Sequence, residues 1–242
     1  MKKFVTDASF WELFPDAAIG VLTVGGIDET AELSPAYAAE IEEMLKQANA
    51  AALRHLDESI PLSQNRVVAI WREAYQKFPT KKGARCSIEA LLKRVAKGEP
   101  VGTIAPTVDI TNSISLKYAL PIGVENMDAM EGDLRLGTMA GGEDFLPIGE
   151  DEQKPPLAGE LAYYDAAGVV CRCWNWRDGQ RTAVRDDTTN EFIAMECIDA
   201  ARLDDLRAAL DELAALLEKY VGAKVFAKGI IDAAHPEMVI QE

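Results

Sequence analysis

The stretch Gly159–Glu196 reads GELAYYDAAGVVCRCWNWRDGQRTAVRDDTTNEFIAME. Leu161 and Tyr163, then Val169, Cys171 and Cys173, alternate with their neighbours on either side of an Asp-Ala-Ala-Gly turn, the period-two pattern of paired, half-buried strands. Asp178-Gly179 is a second turn signal, a dipeptide favoured in hairpins. The hairpin carries a heavy load. Trp174 and Trp176 flank Asn175, and Arg172, Arg177, Arg181 and Arg185 fall within fourteen residues. Either the tryptophans pack in a core while the arginines pair with Asp178, Asp186 and Asp187, or this surface is kept for a partner.

Outward from the hairpin, the helical signals are regular. Ser34-Pro35 gives an N-cap followed by proline at the first helical position, and Ile41, Leu45, Ala48 and Ala52 continue as an apolar stripe. A second helix is expected through Trp71 and Tyr75 towards Phe78, stopped by Pro79. Ser87 is read as the cap of a third, with Ile88, Leu91, Leu92 and Val95 on one face and Lys93, Arg94 and Lys97 on the other. Ala18–Val24 and Leu134–Leu136 read as strands and Ile104–Ile110 as extended, turning at Asp109–Asn112 into a short helix-like run. Leu203, Leu206, Leu210, Leu213, Leu217 and Tyr220 mark the clearest amphipathic helix, closed by Gly222. Val225–Ile231 is a last candidate strand, after which the end is expected to fray. With no repeat and no long linker, residues 1–242 read as one α+β domain, a mixed sheet flanked by helices.

A chain of 242 residues with 48% hydrophobic and 27% charged residues can bury a sizeable core without staples. No apolar run is long enough for a transmembrane helix, so no membrane is expected. Asp7, Glu12 and Asp16 interrupt the N-terminal stretch, against a signal peptide and for a cytoplasmic location. Cys86, Cys171, Cys173, Cys197, His55 and His235 lack a zinc spacing, so buried free thiols, no metal and no cofactor are expected. The net charge of −15 opposes nucleic-acid binding, but the charge is segregated. Residues 1–62 carry four Lys/Arg against eleven Asp/Glu, and residues 66–97 nine against two. A basic block of that kind meets phosphates or is a solvated helix face.

Enzyme signatures readable from spacing are missing: there is no Walker loop, no G-x-G-x-x-G after a strand, no G-x-S-x-G and no H-E-x-x-H. A resemblance goes further. Residues 85–128 resemble the B3/B4 domain of the bacterial phenylalanyl-tRNA synthetase beta chain, whose pattern has an arginine-bearing helix, a loop, V-D-[VI]-T-N-Y-V and a G-Q-P-x-H-A-F-D stretch. Val108-Asp109-Ile110-Thr111-Asn112 matches it directly, and Leu120-Pro121 up to Asp128 more loosely. Gly132–Glu143 is similar to that domain's strand and G-E loop, and Val184–Glu196 to the region leading into a strand that ends in Glu. The resemblance covers about residues 66–220, in order. The length leaves no room for an aminoacylation domain, so the chain looks like the free-standing B3/4 proteins.

In the synthetase this domain hydrolyses the ester of tRNA carrying the wrong amino acid. The resemblance therefore implies a trans-editing hydrolase that deacylates a mischarged aminoacyl-tRNA. Such chemistry needs a water directed at an ester carbonyl, donors for the oxyanion and an anchor for the α-ammonium. By position, Thr111 and Asn112 fall on the polar pair lining that pocket; the alternative is an Asx-type turn that spends both on the backbone. The family's editing histidine falls on Gly123, and its glutamate near Gln180, with Asp178, Glu143 or Asp144 as possible replacements. A tRNA ribose hydroxyl would let hydrolysis proceed without a protein base. Phosphate contacts are expected from Lys81, Lys82, Arg85, Lys93, Arg94 and Lys97, with Arg177 and Arg181 nearer the acceptor end. Trp174 and Trp176, beside Asn175, are candidates for stacking on an unpaired base. The expected partner is thus tRNA or aminoacyl-tRNA, with a synthetase as a further one. Two other readings stay open: a non-catalytic module holding an amino acid, RNA or protein, and a synthetase-associated scaffold with an exposed apolar patch. Donors and a carboxylate converging around Thr111, Asn112 and Glu143 would favour the enzyme; the same side chains spent on turns would favour the module.

Overall fold

The computed structural model describes residues 1–27 and 33–242. The chain runs β1 (Lys2–Thr6), α1 (Ala8–Leu13), β2 (Ala18–Gly25), α2 (Pro35–Ala52), α3 (Arg66–Ala74), α4 (Ser87–Ala96), α5 (Pro106–Tyr118), β3 (Ile122–Asn126) and β4 (Leu134–Thr138). It continues through β5 (Leu161–Asp165), β6 (Gly168–Arg172), β7 (Arg177–Asp178), β8 (Asn190–Cys197), α6 (Leu203–Val221), β9 (Lys224–Ile231) and β10 (Glu237–Gln241). The α+β class holds, and the strands divide between two sheets. One has the order β10-β1-β4-β5-β6-β7, mixed because β1 and β4 are parallel; the other, β3-β8-β2-β9, is antiparallel throughout.

The inner strands of the four-stranded sheet, β2 and β8, are buried on both faces, and β8 shows how. Ile193, Met195 and Cys197 join Ile110 and Ile114 of α5 and Leu206, Leu210 and Leu213 of α6 in a helical layer. Phe192 and Ala194, pointing the other way by the strand's period of two, join Phe4, Leu134, Tyr163 and Trp174 in the larger core between the sheets. Ser34 caps α2 by accepting the Tyr37 N–H at 3.2 Å, with Pro35 behind it. α6 ends at Gly222 in the left-handed region, φ 65°.

Several expectations change. The extended stretch Ile104–Ile110 is replaced by a helix of thirteen residues from Pro106. Its polar positions are absorbed locally: Thr111 Oγ1 donates to Thr107 O and Ser113 Oγ to Asp109 O, each at 2.7 Å. The chain end does not fray, because β10 pairs antiparallel with β1. In the central hairpin, Asp178 lies inside β7, and the turn is Cys173–Trp176, with Cys173 and Trp174 at φ 48° and 64°. Cys86, not Ser87, is the cap of α4. All four cysteines are buried and unbridged. Among the described residues no helix is long and apolar enough to cross a membrane.

Candidate functional site

β3 and β8 pair antiparallel with Gly123 opposite Ala194 and Glu125 opposite Phe192. Alternation therefore puts Gly123, Glu125, Phe192, Ala194 and Glu196 on one face, looking towards the six-stranded sheet. Above that face lies a small cleft of about 60 Å³, walled by Leu134, Tyr163, Cys171, Asn175, Trp176 and Asp178 and reached by Ser87 at the start of α4. A Cβ added at Gly123 would meet no atom within 4 Å, so the missing side chain leaves open space.

Among the described residues, three carboxylates line the cleft and no Lys, Arg or His does. Glu196 is 1% exposed; it accepts from Tyr163 Oη at 2.7 Å and from Asn175 Nδ2 at 3.3 Å. Tyr75 Oη donates to Asn175 Oδ1 at 2.8 Å, which fixes the amide's orientation. Burial pushes Glu196 up to about 7 although Tyr163 and Asn175 favour its ionised form. Burial, with Asp178 adding like charge, raises Glu125 well above the usual carboxylate range. Glu125 Oε2 is buried without a hydrogen-bond partner, the Thr182 hydroxyl lying near it but outside hydrogen-bonding geometry. Burial also raises Asp178. Ser87 Oγ is likewise a buried hydroxyl with no partner among the described residues.

The turn that supplies Asn175 and Trp176 is held from beneath. Arg172 grips Glu160 through Nε at 2.8 Å and Nη2 at 2.7 Å and also donates to Lys154 O at 2.6 Å. Both side chains are almost fully buried, 4% and 0% exposed. Glu160 in turn accepts the Cys173 and Leu157 N–H groups, each at 3.0 Å. Burial alone would raise the Glu160 carboxyl, but Arg172 and the Leu157 N–H outweigh it and the net shift is downward. This network imposes the left-handed conformation at Cys173 and Trp174, which bulky residues otherwise avoid.

Ser87 and Trp176 belong both to the cleft and to a wide neighbouring groove. α4 presents Ser87, Ala90, Lys93 and Lys97 to that groove at spacings of three and four, and Arg72, Arg85 and Glu89 complete its charge. Arg72 chelates Glu89 at 2.5–3.2 Å and Arg85 stands 3.6 Å from it, so four cations face one carboxylate.

Of the residues singled out in the sequence, Asn175, Trp176, Arg85, Lys93 and Lys97 are thus brought together around the cleft and groove. Trp174 is the clearest correction. It is 0% exposed and packs against Phe14, Trp71 and Phe10 with centroids 4.7, 5.1 and 5.3 Å away, so it is unable to stack on a base. Arg177 is directed at Ile148 O and Glu150, and Arg181 at Asp165 and Ala129 O, rather than at the neighbouring aspartates. Lys81 and Lys82 are exposed on the loop before α4, and Arg94 reaches Pro100 O at 3.1 Å.

Thr111 and Asn112 lie on α5, whose Ile110 and Ile114 pack against the opposite face of the four-stranded sheet from the cleft. Glu143 accepts from Ala140 N and Gly141 N at 2.7 and 2.9 Å in its own loop. Of the three carboxylates considered as replacements for the glutamate, only Asp178 reaches the cleft. Glu125 and Glu196 were not singled out. The signal was present: in Phe192-Ile193-Ala194-Met195-Glu196 the period of two puts a carboxylate on the face of Phe192 and Ala194.

Residues 70–222 match the family model described as the B3/4 domain. Among solved structures, an N-terminal fragment of the phenylalanyl-tRNA synthetase beta-subunit from Pyrococcus horikoshii is similar at a TM-score of 0.48 and 13% identity, over 92% of this chain and 49% of that one. The chain thus spans about half the length of that fragment. No curated protein matches it.

Proposed function

Since this chain belongs to the B3/4 domain family, we propose that it hydrolyses, in trans, the ester of a mischarged aminoacyl-tRNA in the cytoplasm, with the aminoacyl group in the Gly123–Glu196 cleft. The observation that carries the reading is a cleft with three carboxylates and no cation of its own, joined through Ser87 and Trp176 to a groove rich in cations. An aminoacyl ester brings an α-ammonium, and the nucleotide that carries it brings phosphates. The two compartments match the two halves of such a substrate in sign and in order.

The reaction adds a water oxygen to the ester carbonyl, breaks the bond to the ribose oxygen and returns a proton to that oxygen. The amino acid leaves with a carboxylate, releasing a second proton. Asp178 anchors the α-ammonium, which places the carbonyl near the cleft mouth. Ser87 Oγ, buried and unpartnered there, donates to the developing oxyanion. With Gly123 in place of a histidine, the adjacent ribose hydroxyl orients the water and relays its proton to the leaving ribose oxygen. Trp176, half-buried at the junction, offers a face to the terminal base.

A binding module without turnover is the second reading. It is favoured by the engagement of Thr111 and Glu143 with backbone groups. Single-turnover deacylation of a panel of mischarged tRNAs, with protein in excess, decides between them. Hydrolysis of one or a few species, slowed about tenfold or more in Asp178→Asn, supports the hydrolase. Absence of turnover on every species leaves the module.

A further inference from the structure

Resting on that hydrolase reading, we propose that the cleft selects a basic amino acid, one whose ester carries two ammonium groups, as lysine or ornithine does. The argument starts from charge. Esterification removes the carboxylate, so the aminoacyl group enters with one positive charge when its side chain is neutral and two when it is basic. The lining offers Glu125, Asp178 and Glu196 and no internal cation. The nearest guanidiniums act from outside, since Arg177 and Arg181 are held by Glu150 and Asp165. Tyr163 and Asn175 already satisfy Glu196, so a neutral amino acid meets one of Asp178 and Glu125 and leaves the other without a partner in a buried space, whereas a basic one meets both.

The layout suits an elongated dication. Glu125 stands opposite Phe192, and Glu196 lies four residues along β8 from it. The trough therefore runs about 13 Å along β8 at ~3.3 Å per residue. Between Glu125 and Glu196 the floor is Gly123 and Ala194, which raise little or nothing into the trough, while Phe192 and Leu134 offer apolar contact to a methylene stem. The carboxylates do not converge as metal ligands: among the described residues no group of three His, Cys, Asp or Glu is placed to hold an ion. A separate observation marks one end as unfilled. Glu125 is 6% exposed, yet its Oε2 accepts no hydrogen bond, a cost that an ammonium removes.

The test uses non-hydrolysable amides in place of the ester: lysinamide, ornithinamide and norleucinamide, titrated calorimetrically into the full chain at pH 7.5. Norleucinamide keeps the stem and the α-ammonium but lacks the second charge. We expect lysinamide or ornithinamide to bind about tenfold tighter or more, the worth of one hydrogen bond to a charged group, and Glu125→Gln to erase most of that preference. Equal affinities within about twofold, or no binding of any amide, overturn the inference. The wild-type comparison decides the matter even where the variant folds poorly. Hydrolysis of neutral aminoacyl-tRNAs with no preference for basic ones overturns this inference and leaves the hydrolase reading standing. Amide selectivity without turnover of any aminoacyl-tRNA does the reverse.

Discussion

Glu196→Gln should stabilise the free protein at alkaline pH and do little at acid pH. The buried Glu196 carboxyl titrates at about 7 against 4.5 for the unperturbed group. Between those values the native state holds a proton that the unfolded chain has released, so the sign of the linkage is negative: stability falls as pH rises. A difference of about 2.5 units at 1.36 kcal/mol each amounts to roughly 3 kcal/mol by pH 8, of which about 2 to 3 kcal/mol develops between pH 5 and pH 8. Glutamine does not ionise, so the variant escapes this loss. It does set an amide against Asn175 Nδ2, which now donates to Glu196 Oε2, at a pH-independent cost of about 1 kcal/mol. Burial raises Tyr163, Tyr75, Cys86, Cys171 and Asp178 in the same environment in both proteins.

The informative quantity is therefore the difference between variant and wild type at pH 8 minus the same difference at pH 5, from urea unfolding. We expect about 2 to 3 kcal/mol in favour of the variant, or a relative rise in Tm of roughly 4–12 °C for a chain of this size. A double difference near zero would mean that Glu196 is ionised across the range, and the reasoning from its burial would fail.

The Arg172–Glu160 pair holds the turn below the cleft, and Arg172→Ala leaves the Glu160 carboxylate buried and uncompensated. A loss of about 3–5 kcal/mol in unfolding free energy is expected, against under 1 kcal/mol for the exposed Arg207→Ala. Lys93→Ala with Lys97→Ala removes two groove cations. The slope of log K against log salt for single-stranded RNA carrying the acceptor sequence should become shallower by about 1.4, measured by fluorescence titration, with Tm within a few degrees of wild type.

Periodicity made much of the fold legible, because α2 and α6 bury a single face each; the β5–β6 pair was legible from its turn, although both of its faces are buried. α5 escaped it. Val108-Asp109-Ile110-Thr111-Asn112 carries β-branched and short polar residues that read as extended or turn-like. What overrides this is local: proline at the first helical position and hydroxyls that return their hydrogen bonds to the helix's own carbonyls. The Trp and Arg cluster was visible as a demand for partners, but Glu160, Asp165 and Glu150 lie 12 to 27 residues away from the arginines they hold, beyond any local rule. The cleft carboxylates were hidden differently. Glu125 and Glu196 occupy ordinary strand positions, and only the meeting of two sheets turns the face they share into a cavity.

The most direct test of the cleft as the site of ester hydrolysis is Gly123→Leu in single-turnover deacylation. An added Cβ meets no atom within 4 Å, and the rest of the leucine side chain projects into the trough. The expected result is loss of hydrolysis of whichever aminoacyl-tRNA the wild type accepts, with Tm unchanged to within a few degrees. Undiminished hydrolysis by a folded Gly123→Leu protein would place the chemistry elsewhere and contradict the account.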